Sequence, residues 1–310
     1  MKRREFMALL GGAAAVWPLA ALLRPRAARA QAQAQPQPAQ VADNQIGQVA
    51  TLQGTATVTR ASAAAPAVLK INDAIFKNDA LQTGAGSTLG VTFDDETTFS
   101  LSANTRIVVD EFVYQEGGKG NAALFTVTTG TAAFVASLVA QNGDMKIATP
   151  TASLGIRGTT GVVDVPAQGG GGEPRIKLYA DADGHVGRIE VFDRQGARLG
   201  ALTQGASAFA LRPGAGGRLA AVPFQISAQE AARDRGVLQR LQASHAIGRQ
   251  QAIQRRQVRE RNRQLRERNQ PRERNRQGPN NPRQPGGPGG PRPPRPPPRR
   301  GGPSRRGQGH

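Results

Sequence analysis

The stretch from residue 148 to residue 165, ATPTASLGIRGTTGVVDV, decides how the middle of this chain folds. Its β-branched residues predict two strands, which Gly155, Gly158 and Gly161 interrupt around Arg157. Glycines in such a setting mark a tight bend or a close approach of two backbones. A loop that grips a phosphate is disfavoured, because no helix is predicted to begin directly after these glycines. The stretch therefore predicts a corner between strands and leaves the role of Arg157 open.

The same pattern of short strands extends outward over residues 46–225. Segments such as STLGVTF, RIVVDEFVY and RIKLYA alternate apolar and polar residues or are rich in β-branched ones, and Gly, Asn or Asp separates them. A turn signal about every 8 to 12 residues is typical of an all-β domain. The chain has no cysteine, so an apolar core and not disulfides must stabilise the domain. We predict an all-β domain of short twisted strands, either solenoid-like or sandwich-like.

Two acidic segments in this domain resemble functional sites but are more typical of turns. The segment DADGH at 181–185 begins like a calcium-binding loop and then lacks that loop's third ligand and its glycine. Its Asp183-Gly184 pair predicts the turn of a hairpin instead. The segment FDDETTF, with Asp94 to Glu96, lies between two predicted strands and is interpreted as a polar turn.

The sequence offers little for catalysis. His185, His245 and His310 are its only histidines, and neither a G-x-S-x-G motif nor a phosphate-binding Gly-Lys-Ser/Thr motif occurs. A metal site or a Ser-His-Asp triad has few residues to draw on. We therefore predict no catalytic residue, no metal site and no cofactor. A hydrolase acting on envelope polymers is therefore less favoured than a protein that acts by binding.

Positive charge is concentrated at the two ends of the chain. Residues 1–30 contain 6 basic and 1 acidic side chains, residues 31–225 contain 14 and 16, and residues 226–310 contain 21 and 5. All 21 basic residues of the last segment are arginines. The predicted β-domain is thus nearly neutral, and the C-terminal segment is strongly cationic.

We expect the cationic segment to form a basic helix over residues 226–270 and a disordered Pro/Gly/Arg-rich tail over residues 271–310. Ser227 and Glu230 match a capping box, and the residues that follow are rich in helix formers. The apolar residues of the helix follow no sustained heptad. Its first half is therefore expected to dock on the β-domain and its second half to be solvated. The tail has a composition typical of disordered segments.

The N-terminus has the features of an export signal over residues 1–30. A basic start precedes an apolar stretch, and two small residues predict cleavage after residue 30. The first residues match the core of twin-arginine signals; an ordinary secretory signal and an uncleaved anchor are the alternatives. The residues that carry the signal are Arg3, Arg4, Phe6, Ala28 and Ala30. A Gln/Ala/Pro linker follows over residues 31–45, and we predict a periplasmic or secreted protein with no transmembrane span in the mature chain.

Several segments between residues 47 and 211 are similar to one known family. They are IGQVATLQGTATVTR, INDAIFKNDALQTGAGSTLGVTFDDETTFSLSANTRIVVDEF, LFTVTTGTAAFVA and IATPTASLGIRGTTGVVDV. Together they resemble the FecR-type domain, a family named after the periplasmic regulator of iron dicitrate uptake. The resemblance implies a compact domain of short, twisted β-strands that acts by protein contact and not by catalysis.

The sequence departs from the family at identifiable positions. Asn72 and Asn78 stand where the family usually shows glycine, and Glu96 replaces a usual turn glycine. Asparagine tolerates the left-handed backbone conformation, so the first two changes are mild. In the name-giving regulators a cytoplasmic anti-sigma segment and a membrane span precede the domain. Here a signal and a linker precede it, so the resemblance does not imply direct control of a sigma factor.

The most specific part of the resemblance lies in the opening stretch. We expect its residues to serve the structure or a contact; they are Thr149, Pro150, Gly155, Arg157, Gly158 and Thr159. Arg157 is expected to be at least half buried, because its small neighbours cannot shield it from the core, and a buried arginine must be paired. Its candidate partners are Asp110, Glu111 and Asp164. A role for Arg157 as receptor for an anionic ligand is the alternative.

The arginines of the predicted helix suggest a second kind of partner. Those expected to bind anions are Arg255, Arg256, Arg259, Arg261, Arg263, Arg266 and Arg268. For an exported protein the available anions are lipid headgroups, lipopolysaccharide phosphates and acidic polysaccharides. Nucleic acid is disfavoured, because no aromatic residue follows Phe224 and base stacking needs one; a merely solubilising role for the tail is the alternative.

Two functional hypotheses follow from the sequence. The first is an exported, non-catalytic FecR-type domain protein that contacts an unidentified envelope protein or a ligand in signalling or sensing. The second is a structural envelope protein that its arginine-rich tail tethers to anionic lipid, lipopolysaccharide or polymer.

Overall fold

The structure is a computed structural model that describes residues 44–63 and 65–274, without the side chains of residues 215 and 269–274. The predicted signal at 1–30, nearly all of the linker and the tail beyond residue 274 lie outside the described residues. Within the described part, short strands make up a β-domain and one long helix follows it. The predicted all-β fold with a C-terminal helix is confirmed.

Seventeen strands form the β-domain. Their bounds are β1 Gln45–Gln53, β2 Ala56–Thr59, β3 Ala67–Val68, β4 Ala74–Phe76, β5 Ala80–Thr83, β6 Thr88–Phe93, β7 Thr98–Leu101, β8 Arg106–Val113, β9 Ala122–Val135, β10 Asp144–Ala148, β11 Ala152–Arg157, β12 Thr160–Val165, β13 Arg175–Tyr179, β14 Arg188–Asp193, β15 Arg198–Leu202, β16 Ser207–Pro213 and β17 Leu219–Pro223.

All of these strands except β4 pair into two sheets that share β9, and β4 pairs with β1. Sheet A contains, in spatial order, β1, β6, β7, the C-terminal half of β9, β12, β13, β16 and β17. Sheet B contains β3, β2, β5, β8, the N-terminal half of β9, β10, β11, β14 and β15. The neighbouring strands in both orders are antiparallel except for β9 and β10. Strand β9 changes sheet at Gly130, whose φ of 90° and close approach to Thr105 exclude a side chain there.

The core lies between the two sheets. Phe93 and Phe99 of sheet A face Phe112 and Phe125 of sheet B, with ring centroids 4.7 Å apart for Phe99 and Phe125. Alternate residues of each strand point inward, so the strands bury one apolar face each and join a single hydrophobic cluster. The arrangement is a sandwich, the second of the two architectures that the strand pattern allowed.

Two α-helices are described, α1 at Leu138–Asn142 and α2 at Ala228–Arg274. The N-terminus of α2 follows the predicted capping box only in part. The Ser227 hydroxyl accepts the Glu230 N–H at 3.3 Å, but the Glu230 carboxylate turns toward the sheet and binds Arg175 and Lys177. Within the described residues, no helix combines the length and the apolar character that crossing a bilayer requires.

Candidate functional site

Helix α2 lies across the outer face of sheet A, along a row of residues that face one another from strand to strand. The row runs from Lys177 of β13 through Val162, Ala133 and Ser100 to Gly90 of β6. Its middle members are small, so the helix can approach the sheet closely. We call this face, from Lys177 to the turn after β6, the helix seat.

The helix faces its seat with a stripe of residues three or four positions apart, the spacing that keeps side chains on one helix face. The stripe changes chemistry along its length, from acidic through apolar and small to basic. Its members are Glu230, Asp234, Val237, Leu241, Ser244, Gly248, Ala252, Arg255 and Arg259. Val237 and Leu241 are the two larger apolar residues among the nine, so the stripe does not follow an apolar heptad.

Lys177 anchors the first end of the seat. Its side chain is 2% exposed, and its Nζ lies 2.9 Å from Asp164 Oδ2, 2.9 Å from Asp234 Oδ2 and 3.1 Å from Glu230 Oε1. Burial alone would lower the pKa of Lys177, but the surrounding carboxylates outweigh it and raise the pKa above its ordinary value. The ammonium is therefore charged, and it joins α2 to β12 and β13.

The neighbours of Lys177 are held in matching protonation states. Burial would raise the pKa of Glu230, but hydrogen bonds and charges from Lys177 and Arg175 lower it. The Tyr179 hydroxyl donates to Asp234 at 2.5 Å, and burial together with the nearby carboxylates raises the pKa of Tyr179. Because lysine is held protonated and tyrosine is held neutral, neither group is suited to act as a base or nucleophile. The cluster fixes the start of the helix.

The middle of the seat brings the helix backbone close to the sheet. The hydroxyls of Ser244 and Thr51 are 2.6 Å apart. A Cβ atom added to Gly248 of the helix would lie 1.8 Å from Thr92 Oγ1, and one added to Gly90 would lie 2.2 Å from Ser244 Oγ. Both glycines are therefore required by the close approach and not by their backbone angles.

The turn between β6 and β7 forms the last part of the seat. It is a polar turn, as the sequence predicts, but its carboxylates bind arginines of α2. Asp94 binds Arg255 at 3.1 Å and Arg259 at 2.5 Å. Glu96 binds Arg256 at 2.5 Å and Arg249 at 2.8 Å.

Glu96 occupies the position where glycine is usual in the resembled family. Its φ is 71°, in the left-handed region that disfavours a side chain, and Asn72 and Asn78 share this conformation at 71° and 66°. The two asparagines fit the expectation. Glu96 therefore has a strained backbone conformation, and at this position its carboxylate binds two arginines of α2.

Asp95, between the two arginine-binding residues, serves the fold. Its carboxylate accepts hydrogen bonds from the Thr97 hydroxyl at 2.6 Å and from the Val139 N–H at the start of α1 at 3.2 Å. Burial raises the pKa of Asp95, although these hydrogen bonds lower it.

The seven arginines predicted to bind anions divide into two groups. Arg255, Arg256 and Arg259 bind carboxylates of the β-domain, as described above. The side chains beyond them are exposed, and they belong to Arg261, Arg263, Arg266 and Arg268. Arg263 pairs with Glu267 one helical turn away at 3.2 Å. The helix therefore docks well past its first half, and the binding of an external anion stays a prediction for both groups.

The opening stretch of the sequence turns corners, as its glycines predicted. Thr149 closes the turn between β10 and β11, with its hydroxyl 3.0 Å from both the N–H and the C=O of Ala152, and Pro150 is exposed at the turn. At the end of β11 the chain passes from sheet B to sheet A through Gly158, whose φ is 41°, and buried Thr159.

The prediction that Arg157 is buried and paired with a carboxylate is wrong. Arg157 is exposed, and its Nη1 donates to the carbonyl of Gly143 at 2.6 Å. The reason is strand alternation: Leu154 and Ile156 point into the core, so Arg157 points outward. Of its candidate partners, Asp164 binds Lys177 instead, and neither Asp110 nor Glu111 forms an ion pair with it among the described contacts.

Gly155 differs from the other glycines of the stretch. Its φ lies outside the left-handed region, and an added Cβ would meet only Phe192 at 3.6 Å and Glu190 at 3.9 Å, which are ordinary contacts. By contrast, a Cβ on Gly161 would lie 2.5 Å from Phe134. The fold requires glycine at 161 but not at 155.

The turn predicted at 181–185 forms, but the prediction that it closes a hairpin is wrong. β13 pairs with β12 and β16 in sheet A, and β14 pairs with β11 and β15 in sheet B, so the turn carries the chain from one sheet to the other. Gly184 has a φ of 87°, and the Asp181 N–H donates to the carbonyl of His185 at 2.8 Å. In the described part of the chain, no three side chains of the types that ligate metals come together.

Comparison with known proteins finds a family model that matches part of the chain and several similar solved structures. Residues 79–179 match the family model described as FecR protein, a narrower span than residues 47–211. Two crystal structures of a candidate anti-sigma factor from Parabacteroides distasonis ATCC 8503, at 2.50 and 1.65 Å, are similar with 14% and 13% identity and TM-scores of 0.36 and 0.35. Each alignment covers 49% of this chain and 62% of the other. These TM-scores are too low to establish a common fold. No curated protein matches the chain.

Proposed function

We propose that this chain, which contains a FecR domain over residues 79–179, is an exported, non-catalytic protein that acts by contact with an envelope protein in signalling or sensing. The family match supports a regulatory role. The specific motif of the stretch, from Thr149 to Thr159, lies inside the matched residues, so the contact is sought there.

Gly155 is the observation that carries the proposal. It lies on the outer face of sheet B, in a row between Lys146 of β10 and Glu190 of β14. Helix α2 lies on sheet A and not on this face, where Lys146 and Arg157 are exposed and Gly155 is partly exposed. A glycine that neither the backbone nor the packing demands indicates a place where another chain can approach the strand. Lys146, Glu190 and the exposed Arg157 supply charged groups around it.

Filling the position tests this contact. Gly155→Val adds a β-branched side chain that suits a strand, so we expect an unchanged or slightly higher melting temperature. A photo-cross-linking residue at Ser153, on the same face, should capture a discrete partner in cells that make the full chain, and Gly155→Val should abolish that capture. Gly120→Val is the matched control, because its added Cβ meets nothing within 4 Å and it lies in the loop between β8 and β9. Capture that survives Gly155→Val would place the contact elsewhere.

Export is part of the proposal and rests on the N-terminal sequence. If Arg3 and Arg4 direct the chain to the twin-arginine route, replacing both with lysine should leave the precursor uncleaved in the cytoplasm. Normal processing of the double variant would exclude this route.

Tethering by the arginine-rich segment is a second candidate function. The exposed Arg261, Arg263 and Arg268 at the far end of α2 favour it. Such binding should need residues 255–306 and weaken steeply from low to physiological salt, because exposed charges are screened over about 8 to 10 Å. Vesicle flotation at two salt concentrations checks it, and binding that ignores salt would contradict it.

A further inference from the structure

The last third of the helix seat is held mainly by four arginines, Arg249, Arg255, Arg256 and Arg259, which we call the arginine row. Their side-chain exposure ranges from 14% for Arg255 to 60% for Arg249. Among the described ion pairs with the β-domain, they meet two carboxylate side chains, those of Asp94 and Glu96. We propose that the arginine row is a binding site for a phosphate-bearing polyanion, and that its occupation releases the second half of α2 from the β-domain.

Phosphate competes with the two carboxylates for the same groups. A guanidinium presents a planar fork of donors that matches carboxylate and phosphate alike. Asp94 and Glu96 offer four oxygens to four arginines, whereas a polyanion offers a series of phosphates. The exposed Arg261 and Arg268 on the next turns of the helix extend the positive surface, so a polyanion can bind there first.

An open cleft gives the ligand access to the row before the helix moves. The cleft has a volume of about 790 Å³ and lies between α2 and the end of β8. Its charged lining residues are Arg256, Arg259, Arg261 and Arg263 and the acids Asp94, Glu116 and Glu260, so the arginines outnumber the acids. It therefore brings two members of the arginine row and two exposed arginines to one solvent-filled space.

The first half of the helix is held too firmly to leave with the second. Its start binds buried Lys177, and Val237 and Leu241 pack on Ala133 and Val162. Beyond Ser244 the contacts are mainly polar or small: His245 bonds the Thr98 hydroxyl at 3.1 Å, Gly248 lies against the Thr92 side chain, and the small Ala252 is buried. Little apolar area resists separation there, so the helix parts from the sheet between residues 244 and 248.

Release uncovers a surface that α2 covers in the closed state. Thr92 and Thr98 are fully buried beneath the helix, and the carboxylates of Asp94 and Glu96 lose their arginines. A polyanion that separates the second half of α2 from the sheet must bind more tightly to a variant in which the two are already separated, because thermodynamic linkage is reciprocal. This reciprocity separates the proposal from simple attraction to a cationic tail.

The proposal takes its ligand class from the tethering candidate, and the experiment distinguishes the two. The full-length chain is titrated with inorganic polyphosphate and, separately, with phosphatidylglycerol-containing vesicles, while amide hydrogen exchange is followed. Exchange should accelerate at least several-fold over residues 249–262 and stay unchanged over residues 230–241. A response to either probe supports the site and identifies its source as soluble polyphosphate or membrane headgroups.

A pair of glycine variants tests the linkage without changing any charge. Gly248→Ala places a Cβ 1.8 Å from Thr92 Oγ1 and should open the second half of the seat. Gly236→Ala, in the same helix, places its Cβ 3.7 Å from Arg240 and should leave the seat closed. We expect Gly248→Ala to bind polyphosphate several-fold more tightly than the wild type and Gly236→Ala to bind as the wild type does.

Two results would overturn the inference. Binding that leaves exchange over residues 249–262 unchanged, with equal affinity for both glycine variants, would show that the anion meets only the exposed arginines; tethering would then stand alone. If neither polyphosphate nor the vesicles bound at low salt, both the tethering function and the proposed release of the second half of α2 would be wrong.

Discussion

The two ends of the helix seat carry the same kind of interaction in opposite surroundings. At the start of α2, the helix supplies the acids Glu230 and Asp234, and the sheet supplies Lys177, which is 2% exposed. At the far end the helix supplies arginines, whose side chains are 14% to 60% exposed, and the sheet supplies Asp94 and Glu96. The reversal of sign fixes the direction of the helix, because a reversed helix would place like charges together at both ends.

The difference in burial gives the two ends different properties. A buried ion pair costs desolvation when it forms, and losing one partner leaves an uncompensated charge, so it acts as a fixed point. A partly exposed pair is weak and is screened by salt. The acids also lie near the helix N-terminus, where the helix dipole favours negative charge. The start of α2 is therefore suited to stay attached to the sheet, and the arginine end is suited to be released from it.

The largest expected effect is at the buried end. Lys177→Ala strands three carboxylates and should lower the free energy of unfolding by about 3 to 5 kcal/mol. Urea denaturation of the full chain measures it. Lys146→Ala is the matched control, because its pair with Asp144 is half exposed on both sides, and it should cost about 1 kcal/mol or less. Equal effects for the two lysines would contradict the contrast in burial.

Sequence reasoning predicted the strands and corners but placed the buried cation wrongly. Arg157 was expected to be buried because its neighbours are small, and it is exposed; Lys177 is buried instead. In RIKLYA the alternation puts Lys177 on the polar face of β13, which by itself indicates solvent. It is buried because a helix that begins some fifty residues later covers that face, and a local pattern contains no such information.

The helix seat was missed for a related reason. Thr92, Thr98 and Ser100 alternate with apolar residues, as in a sheet with one face in water, yet all three are buried. The signal available in the sequence was the spacing of Ser244, Gly248 and Ala252, small residues one turn apart, which permit close approach. The turns at Asn72 and Asn78 were easier to predict, because asparagine tolerates the positive φ that these turns require, and this is a local property of the backbone.

A second prediction concerns acid sensitivity at the buried end. The pKa of Glu230 lies below its ordinary value of 4.5, so its ionised form stabilises the fold above that pH, and this contribution is lost as the pH falls through the folded pKa. Glu230→Gln removes charge-assisted hydrogen bonds to Lys177 and Arg175 and should cost about 1.5 to 3 kcal/mol at pH 7.

The pH profile is the informative measurement for Glu230. The difference in unfolding free energy between the wild type and Glu230→Gln should shrink as the pH falls from 6 to 3, because the wild-type carboxyl then becomes neutral. A difference that stays constant over this range would mean that the ionised carboxylate contributes nothing to the buried end.

A third, smaller effect is expected at the arginine end. Glu96→Gln should cost about 1 kcal/mol at low salt, because its partner Arg249 is 60% exposed and its partner Arg256 is 20% exposed. In 1 M NaCl, where charges are screened over about 3 Å, most of this cost should vanish. The cost of Lys177→Ala should persist in the same salt. Thermal melts at two salt concentrations compare the two variants, and a salt-independent cost at Glu96 would remove the distinction between the two ends.

The smallest expected effect is at Arg157, the cation that sequence reasoning had placed in the core. Its guanidinium is exposed and donates to one carbonyl, that of Gly143, which follows α1. A single exposed hydrogen bond contributes about 1 kcal/mol or less, so Arg157→Ala should melt close to the wild type. Arg157→Lys should be indistinguishable from Arg157→Ala in stability, because no buried carboxylate requires the guanidinium fork. If Arg157→Ala instead cost as much as Lys177→Ala, Arg157 would also anchor the fold. Its guanidinium would then be engaged within the domain, and a partner that binds around Gly155 could not use that charge.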